Sequence, residues 1–272
     1  VIGHVEWIVH AFGRLAGPDE ITRLTDPIEE PAGGGAVTAA QVAKLGVECD
    51  FFTGLGADAR GDAALERLRA EGITVHAARR EQPQTWGLSA TSEDNDRAIA
   101  IVGEPVVATV DDALPWSTLA SASSCFFTGH DPAALRRARE CPILVVTARR
   151  LAVLVESGVR ADVIVASATD ADEAFDSGEL DPAPAACVWT HGADGGRVRD
   201  ASGERAYAPA AVPGPILDTY GAGDSFVGGL TVGLGLGHSL DDAVALGALC
   251  GAQALTYRGA LSGQLTADAI EL

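Results

Sequence analysis

Apolar residues recur along the chain in two alternating rhythms, short β-prone runs and longer segments with helical spacing. This is the pattern of a sheet covered by helices on both faces. Val1 to Val9 reads as an opening strand, Ala36 to Leu45 as a helix and Glu48 to Thr53 as a second strand. Asp62 to Glu71 reads as a helix closed by Gly72, a residue suited to a left-handed terminator. Ile73 to His76 restarts extended structure. Ser124 to Thr128, Ile143 to Thr147, Asp162 to Ala166 and Cys187 to Thr190 are further short strands, with a helix from Pro132 to Glu140 among them. The last two apolar runs, Phe226 to Gly237 and Ala243 to Leu255, are each shorter than the roughly 20 residues of a membrane span and are expected to be buried helices.

Two segments, residues 11–31 and 77–104, break that rhythm. TWGLSATS and RAIAIVGE flank the polar turn EDND, and their β-prone composition predicts extra strands outside the main sheet. The expected organisation is one α/β domain over residues 1–272, a three-layer αβα sandwich with a mainly parallel sheet. A small β lid is inserted in it.

Composition narrows the function classes. The 272 residues are 47% hydrophobic, enough for one large core. A formal charge of −19 with no basic cluster would repel nucleic acid or an anionic membrane surface. Cys49, Cys125, Cys141, Cys187 and Cys250 form no C-x-x-C pair and read as reduced core residues of a cytoplasmic protein. The start carries Glu6 and no basic region ahead of an apolar segment, so no secretory signal is expected there. Methionine is absent even at position 1, which suggests that the natural initiating end is not represented.

The chemistry concentrates in LDTYGAGDSF, residues 217–226, just before an apolar helical run. A Gly-Ala-Gly turn that starts a helix exposes backbone N–H groups at the positive end of the helix dipole, where an anion can approach closely. Asp224 falls in the first turn, which is expected to favour its ionised form and make it a weak base. That suffices in phosphoryl transfer, where the acceptor hydroxyl loses its proton late. The same residues also read as an ordinary turn and helix cap, a common pattern.

Three further elements bear on that choice: PAGGGAVTAAQVAKLG (31–46), FFTGLGADARGD (51–62) and WTHGADGG (189–196). With Asp218-Thr219-Tyr220-Gly221-Ala222-Gly223-Asp224 they give, in order, a Gly-Gly element, G-x-G-x-D-x-x-G, T-x-G-x-x-G and D-T-x-G-A-G-D. In this the chain resembles the PfkB family of carbohydrate kinases, with the ribokinase-like fold, over nearly its whole length. Other phosphate and catalytic signatures fail. The single lysine, Lys44, closes no glycine loop, and neither a dinucleotide fingerprint, H-E-x-x-H nor G-x-S-x-G is present.

The resemblance implies an ATP-dependent kinase acting on a hydroxymethyl group of a sugar or sugar-like molecule. Asp224 would be the base, and Gly221, Ala222 and Gly223 the anion hole. Glu6, Gly34, Gly35 and Thr38 would meet the substrate, and Thr190, Gly192, Gly195 and Thr219 the nucleotide. Mg²⁺ would accompany ATP with Asp170 nearby, and a monovalent cation such as K⁺ would lie near Asp218. The chain departs from the family at Thr38, where an asparagine is common, and at Ile8, where an aspartate is common, with Glu6 as the nearby carboxylate. The N-x-x-E element is represented by Ser167-Ala168-Thr169-Asp170. Arg97, Arg149 and Arg150 are candidates for phosphate or substrate contacts, but arginines on a helix or loop usually read as solvated, and they are left outside the site. A nucleoside kinase with Trp7 or Trp86 stacking on a base, and a non-catalytic ligand-binding relative, are the alternatives. Dimerisation through the lid is also expected.

Overall fold

The computed structural model describes residues 1–92 and 97–270. The polar turn expected at residues 93–96 lies outside them. In chain order the elements are β1 (Glu6–Phe12), β2 (Thr25–Ala32), α1 (Gly34–Lys44), β3 (Asp50–Gly56), α2 (Ala59–Ala70), β4 (Thr74–Arg80), β5 (Trp86–Thr91) and β6 (Arg97–Val102). There follow β7 (Ser124–Phe127), α3 (Pro132–Ala138), β8 (Ile143–Thr147), α4 (Leu151–Ser157), β9 (Val163–Ser167), β10 (Ala186–Thr190), β11 (Gly196–Asp200) and β12 (Gly203–Tyr207). The helices α5 (Ala222–Gly235) and α6 (Leu240–Ala254) come last.

Strands β7 to β10 are parallel neighbours, extended on one side by the antiparallel β11 and β12. On the other side Ile2 bridges β7 and the parallel pair β3–β4, with Ile2 N donating to Phe126 O at 2.9 Å and Phe52 N donating to Val1 O at 2.9 Å. Period-2 alternation sends successive side chains to opposite faces, and the apolar runs of these strands are buried on both. Phe127, Val146 and Ile164 pack with Leu135 and Leu154 of α3 and α4. Phe126, Val145 and Val163 pack with Phe226 and Leu230 of α5 and Val244 of α6. The result is a helix, sheet, helix arrangement.

The opening strand expected over Val1 to Val9 is in fact shared between two sheets. Residues 1–3 join the central sheet, while Glu6–Phe12 pairs with β2 and β5 in a separate four-stranded sheet of order β2–β1–β5–β6. The crossover is forced at Gly35, where the first turn of α1 passes against the chain. A Cβ there would lie 2.7 Å from the His4 carbonyl oxygen and 2.8 Å from Gly3 C. Ala77 to Arg80, expected with the outer strands, instead completes β4 in the central sheet. Gly72 ends the α2 region at φ 86°, as its position implies.

The G-x-G-x-D-x-x-G element proves to be a brace. Asp58 caps α2 by accepting from Gly61 N at 2.9 Å and also accepts from Gln84 N at 3.1 Å. Gln84 in turn accepts from Gly56 N at 3.0 Å and donates to Val5 O at 2.7 Å. These bonds fix the start of β5 beside the segment that connects the sheets. All five cysteines are buried and free. Among the described residues no helix is long and apolar enough to cross a membrane.

Because the Gly35 contact is with backbone, no rotamer change relieves it. Gly35→Ala is therefore expected to destabilise the protein by about 3 kcal/mol, whereas Gly223→Ala, whose Cβ would enter open space, should stay within about 1 kcal/mol of the parent. Urea unfolding of the two variants checks this.

Candidate active site

The carboxyl ends of the parallel strands face the N-termini of α1 and α5, the place where open α/β sheets leave a crevice. A cavity of about 890 Å³ opens there, and Gly221, Ala222, Gly223 and Asp224 are among the residues that line it. Gly221 caps α5 at φ 76°, a left-handed conformation that glycine adopts without a Cβ penalty, and a Cβ there would press on Val37 Cγ1 at 3.1 Å. No side chain caps α5, and its first internal bond is Ser225 N to Gly221 O at 2.8 Å. The amides of Ala222, Gly223 and Asp224 thus lack helical partners.

α1 mirrors this arrangement. It too starts without a side-chain cap, and its first internal bond is Val37 N to Gly33 O at 3.1 Å. The two N-termini abut around Asp224: a Cβ at Gly34 would come 3.2 Å from Asp224 Oδ1, and Thr38 Oγ1 donates to the Asp224 carbonyl at 3.1 Å.

Asp224 is partly open to the cavity and otherwise enclosed by protein. Burial pushes its pKa up to about 6, against the favourable charges of Arg149 and Arg97 and with a smaller push from Glu173. The expectation of a weakly basic carboxylate is therefore corrected. Desolvation outweighs the helix-terminus effect, which contributes only about 0.3–1 kcal/mol near a surface, up to about 2 in partly buried geometries.

Thr190, Gly192, Gly195 and Thr219, expected to meet the nucleotide, all line the cavity, together with the apolar Val212, Ile216, Ala252 and Leu255. The residues expected to meet the acceptor divide. Glu6 lies close enough for Asp224 to push its pKa up, after the larger effect of burial, and its Oε1 stands 3.8 Å from His4 Nε2. His4 and His130 meet edge to face at 5.7 Å, and burial lowers their pKa to about 3 and about 4, so both rings are neutral at physiological pH. Gly34 adjoins the carboxylate. Gly35 and Thr38 do not reach the cavity: Gly35 serves the backbone crossing, and Thr38, fully buried, spends its hydroxyl on the Asp224 backbone. Thr38 therefore holds the Asp224 backbone in position, with its hydroxyl turned from the cavity where a sugar contact was expected.

Asp170 is likewise redirected. Its carboxylate pairs with Arg149 and accepts from Asp172 N at 3.0 Å. The carboxylate that the sequence pattern overlooked is Glu173, which is buried, accepts from Ser167 N at 2.6 Å and pairs with Arg149 Nε at 2.8 Å. The described residues contain no cluster of three His, Cys, Asp or Glu able to hold a metal ion. With Asp170 and Glu173 both paired to Arg149, this donor set does not fit a metal cage built by the protein. Asp218 is 3% exposed, and its oxygens accept from Tyr220 N at 3.0 Å, Gly259 N at 3.2 Å and Thr91 Oγ1 at 3.4 Å. Its visible task is to fix the loop ahead of the glycine turn.

The tryptophans considered for base stacking are otherwise engaged. Trp7 Nε1 donates to Glu29 at 2.9 Å, and the Arg60 guanidinium lies 4.6 Å from the Trp86 ring centre. Arg97 and Arg149, candidates for phosphate or substrate contacts that were left outside the site, both line the cavity.

Comparison with known proteins agrees with this layout. A family profile described as "pfkB family carbohydrate kinase" matches residues 1–267. An ATP-dependent ribose-1-phosphate kinase from Halopiger xanaduensis is 25% identical over 285 residues, covering 98% of this chain and 95% of the relative. An acarbose 7(IV)-phosphotransferase from Actinoplanes sp. is 38% identical over 85 residues, a match spanning 30% of this chain and only 28% of that relative. The ribokinase of Thermotoga maritima superposes with a TM-score of 0.80 at 22% identity, covering 98% of this chain and 95% of that one, and so shares the fold.

Burial of the Asp224 charge carries a stability consequence. With a folded pKa near 6 and an unfolded value of about 3.9, the folded state binds the proton more tightly, so the ionisation cost is absent below about pH 4 and complete above about pH 6. Asp224→Asn should accordingly be more stable than the parent by about 3 kcal/mol at pH 8, with the gap closing as pH falls towards 4. Urea midpoints across that range measure it.

Proposed function

The chain belongs to the pfkB family of carbohydrate kinases, and from that premise we propose that it transfers the γ-phosphoryl group of ATP to a hydroxymethyl group of a sugar or sugar-like acceptor. The observation that carries this reading is the meeting of one elevated carboxylate, Asp224, with the uncapped N-terminal turn Gly221–Gly223 in the lining of one cavity.

In the proposed reaction ATP lies along the wall formed by Thr190, Gly192, Gly195 and Thr219, with its adenine against the apolar end near Val212 and Leu255. The acceptor enters from the side of Glu6 and Gly34. Its hydroxyl oxygen forms the new bond to the γ-phosphorus as the bond to the β-phosphate oxygen breaks, the electron pair leaving with ADP and the hydroxyl proton passing to Asp224. The amides of Ala222 and Gly223 receive the charge of the transferring phosphoryl, for which fixed dipoles in an enclosed site are effective. A base with pKa near 6 is ionised at neutral pH and still competent to take the proton late in a loose transition state. Mg²⁺ bound to ATP would reduce the phosphate charge, held mainly by the nucleotide because the protein carboxylates at hand are paired with Arg149. The neighbourhood of Asp218 remains the place proposed for a monovalent cation.

The acceptor side favours a hydroxylated molecule over a planar base, since Trp7 is bonded to Glu29 and Trp86 lies against the Arg60 guanidinium. Strand β6 leaves Ile99, Ile101 and Val102 more than 40% exposed at the edge of the outer sheet. We propose that this edge pairs two copies of the chain, and static light scattering at micromolar concentration should give the dimer mass.

A panel of pentoses, hexoses, sugar phosphates and nucleosides with ADP readout tests the activity. At least one sugar-class acceptor should be phosphorylated. Asp224→Asn should bind ATP with unchanged affinity yet lose about 10³-fold or more in kcat. Equal turnover by the variant would remove Asp224 from its role.

A further inference from the structure

We propose that the guanidinium of Arg149 stands where a divalent cation would otherwise be held by Asp170 and Glu173. The protein then uses only the metal that arrives with ATP, and removing the guanidinium uncovers a cation site. This rests on the kinase reading above and turns the misfit of the protein's own metal donors into a property of this chain.

Asp170, Glu173 and Arg149 all line the cavity that holds Gly221–Asp224. Glu173 belongs to the short turn Ala171–Glu173 that follows β9, and Asp170 caps that turn. Each carboxylate commits one oxygen to a backbone amide: Glu173 Oε2 accepts from Ser167 N at 2.6 Å, and Asp170 Oδ1 accepts from Asp172 N at 3.0 Å. Their other oxygens meet on one guanidinium, with Arg149 Nε 2.8 Å from Glu173 Oε1 and Arg149 Nη2 donating to Asp170 Oδ2. The hydroxyls of Ser167 and Thr169, 3.0 Å apart, belong to residues that also line the cavity. Mg²⁺ at phosphate sites commonly takes one or two carboxylates from the protein and leaves its other positions to water and phosphate. Two such carboxylate oxygens converge here, but the cation between them is part of the chain.

An ion pair on an open surface would carry little meaning, and this one is not of that kind. The Glu173 side chain is 10% exposed, whereas that of Arg149 is 51% exposed. A carboxylate so enclosed needs a paired charge, and the half-open arginine supplies it. The Arg149 backbone is fixed as well: its N–H donates to Thr147 Oγ1 at 3.4 Å, and its carbonyl accepts from Arg150 Nη1 at 3.3 Å. Arg150 does not take over the pairing, since its Nε donates to the Thr128 carbonyl at 3.0 Å. Among charged groups Arg149 acts most strongly on Asp224, and Glu173 follows with the opposite sign, so the ion-paired group lies within electrostatic reach of the base. For Mg²⁺ to reach these oxygens the guanidinium must give up two partners at once, and the ion must shed water that it releases reluctantly. The arginine is tethered, so its effective concentration at the carboxylates does not depend on the medium.

The transfer itself is unchanged. The bonds at the γ-phosphorus form and break as described above, the hydroxyl proton passes to Asp224, and Arg149 forms no covalent bond and keeps its proton. What changes is the response to free metal. A site that relied on an ion held by the protein would gain activity as free Mg²⁺ rose above the amount bound to ATP, and a site with a tethered guanidinium would not.

The test compares the parent, Arg149→Met, Arg149→Lys, and Arg149→Met combined with Asp170→Asn and Glu173→Gln. Electron paramagnetic resonance of free Mn²⁺ measures ion binding without nucleotide, and circular dichroism confirms that each variant is folded. Arg149→Met should bind one more Mn²⁺ per chain than the parent, and the combined variant should lose it, which separates this site from loose binding to the acidic surface. Arg149→Lys keeps a tethered charge and should bind no more Mn²⁺ than the parent. If Arg149→Met does not fold, Arg149→Gln replaces it in both proteins. Steady-state kinetics use the acceptor found by the panel, at saturating Mg·ATP with free Mg²⁺ varied. The parent kcat should change by less than about twofold, whereas Arg149→Met should lose about tenfold or more without excess metal and recover part of that loss with it. A folded Arg149→Met that binds no additional ion would overturn the proposal, as would a parent that already binds Mn²⁺ at Asp170 and Glu173 or whose kcat rises several-fold with free Mg²⁺. The Mn²⁺ titration needs no acceptor, so a parent that phosphorylates nothing overturns the kinase reading in a way distinct from a failure to uncover the ion site.

Discussion

Two helix N-termini press against one buried carboxylate, and most of the architecture serves that contact. The first turns of α1 and α5 carry uncapped amides and converge where Asp224 sits. Bringing two positive helix ends together is unfavourable unless an anion lies between them, and Asp224 supplies one. Its desolvation works in the opposite sense and prevails, giving a carboxylate near pKa 6 amid donors that a phosphate can occupy. Strain in charge is therefore retained at the site, and the surrounding core supplies the stability that tolerates it.

The supporting contacts are local and nameable. Thr38 ties α1 to the Asp224 backbone, Asp218 ties the loop at Tyr220 to Gly259, and Thr91 ties the outer sheet to Asp218. Beside them Glu30, 1% exposed on β2, accepts from Ala260 and Leu261 N–H groups, and burial raises its pKa. His10 lies between the two carboxylates, 3.6 Å from Glu30 and 4.0 Å from Asp218, with its pKa lowered to about 4 by burial. The outer sheet is joined to the loop ahead of the glycine turn through buried polar groups, so its placement and that of the turn are linked.

Much of this was legible in the sequence, and the remainder has identifiable causes. The glycine turn with its acid, the terminator at Gly72, the alternating strands and helices, and the break in rhythm near residues 77–104 are local patterns, and local patterns survive folding. The division of the first strand between two sheets depends on the close passage of Gly35 against His4, a contact 31 residues apart in sequence. The elevated pKa of Asp224 has a distributed origin, since burial comes from residues across the chain while the helix effect is visible in one turn. Asp170 was read in place of Glu173 because spacing from Ser167 favoured the nearer carboxylate, and only the fold shows which one the Ser167 amide reaches. Arg97 was a candidate for a phosphate or substrate contact that stayed outside the site, because an arginine in such a segment usually reads as solvated and only the fold shows the Tyr220 ring beneath it.

The elevated carboxylate is the claim on which the rest depends, and it can be measured directly. Carbon-13 NMR of the protein labelled at aspartate carboxyls, with Asp224→Asn used to identify the missing resonance, follows the Asp224 titration in the absence of ligands. The account predicts a midpoint near 6. A midpoint at or below about 4, the value of an ordinary exposed aspartate, would contradict it.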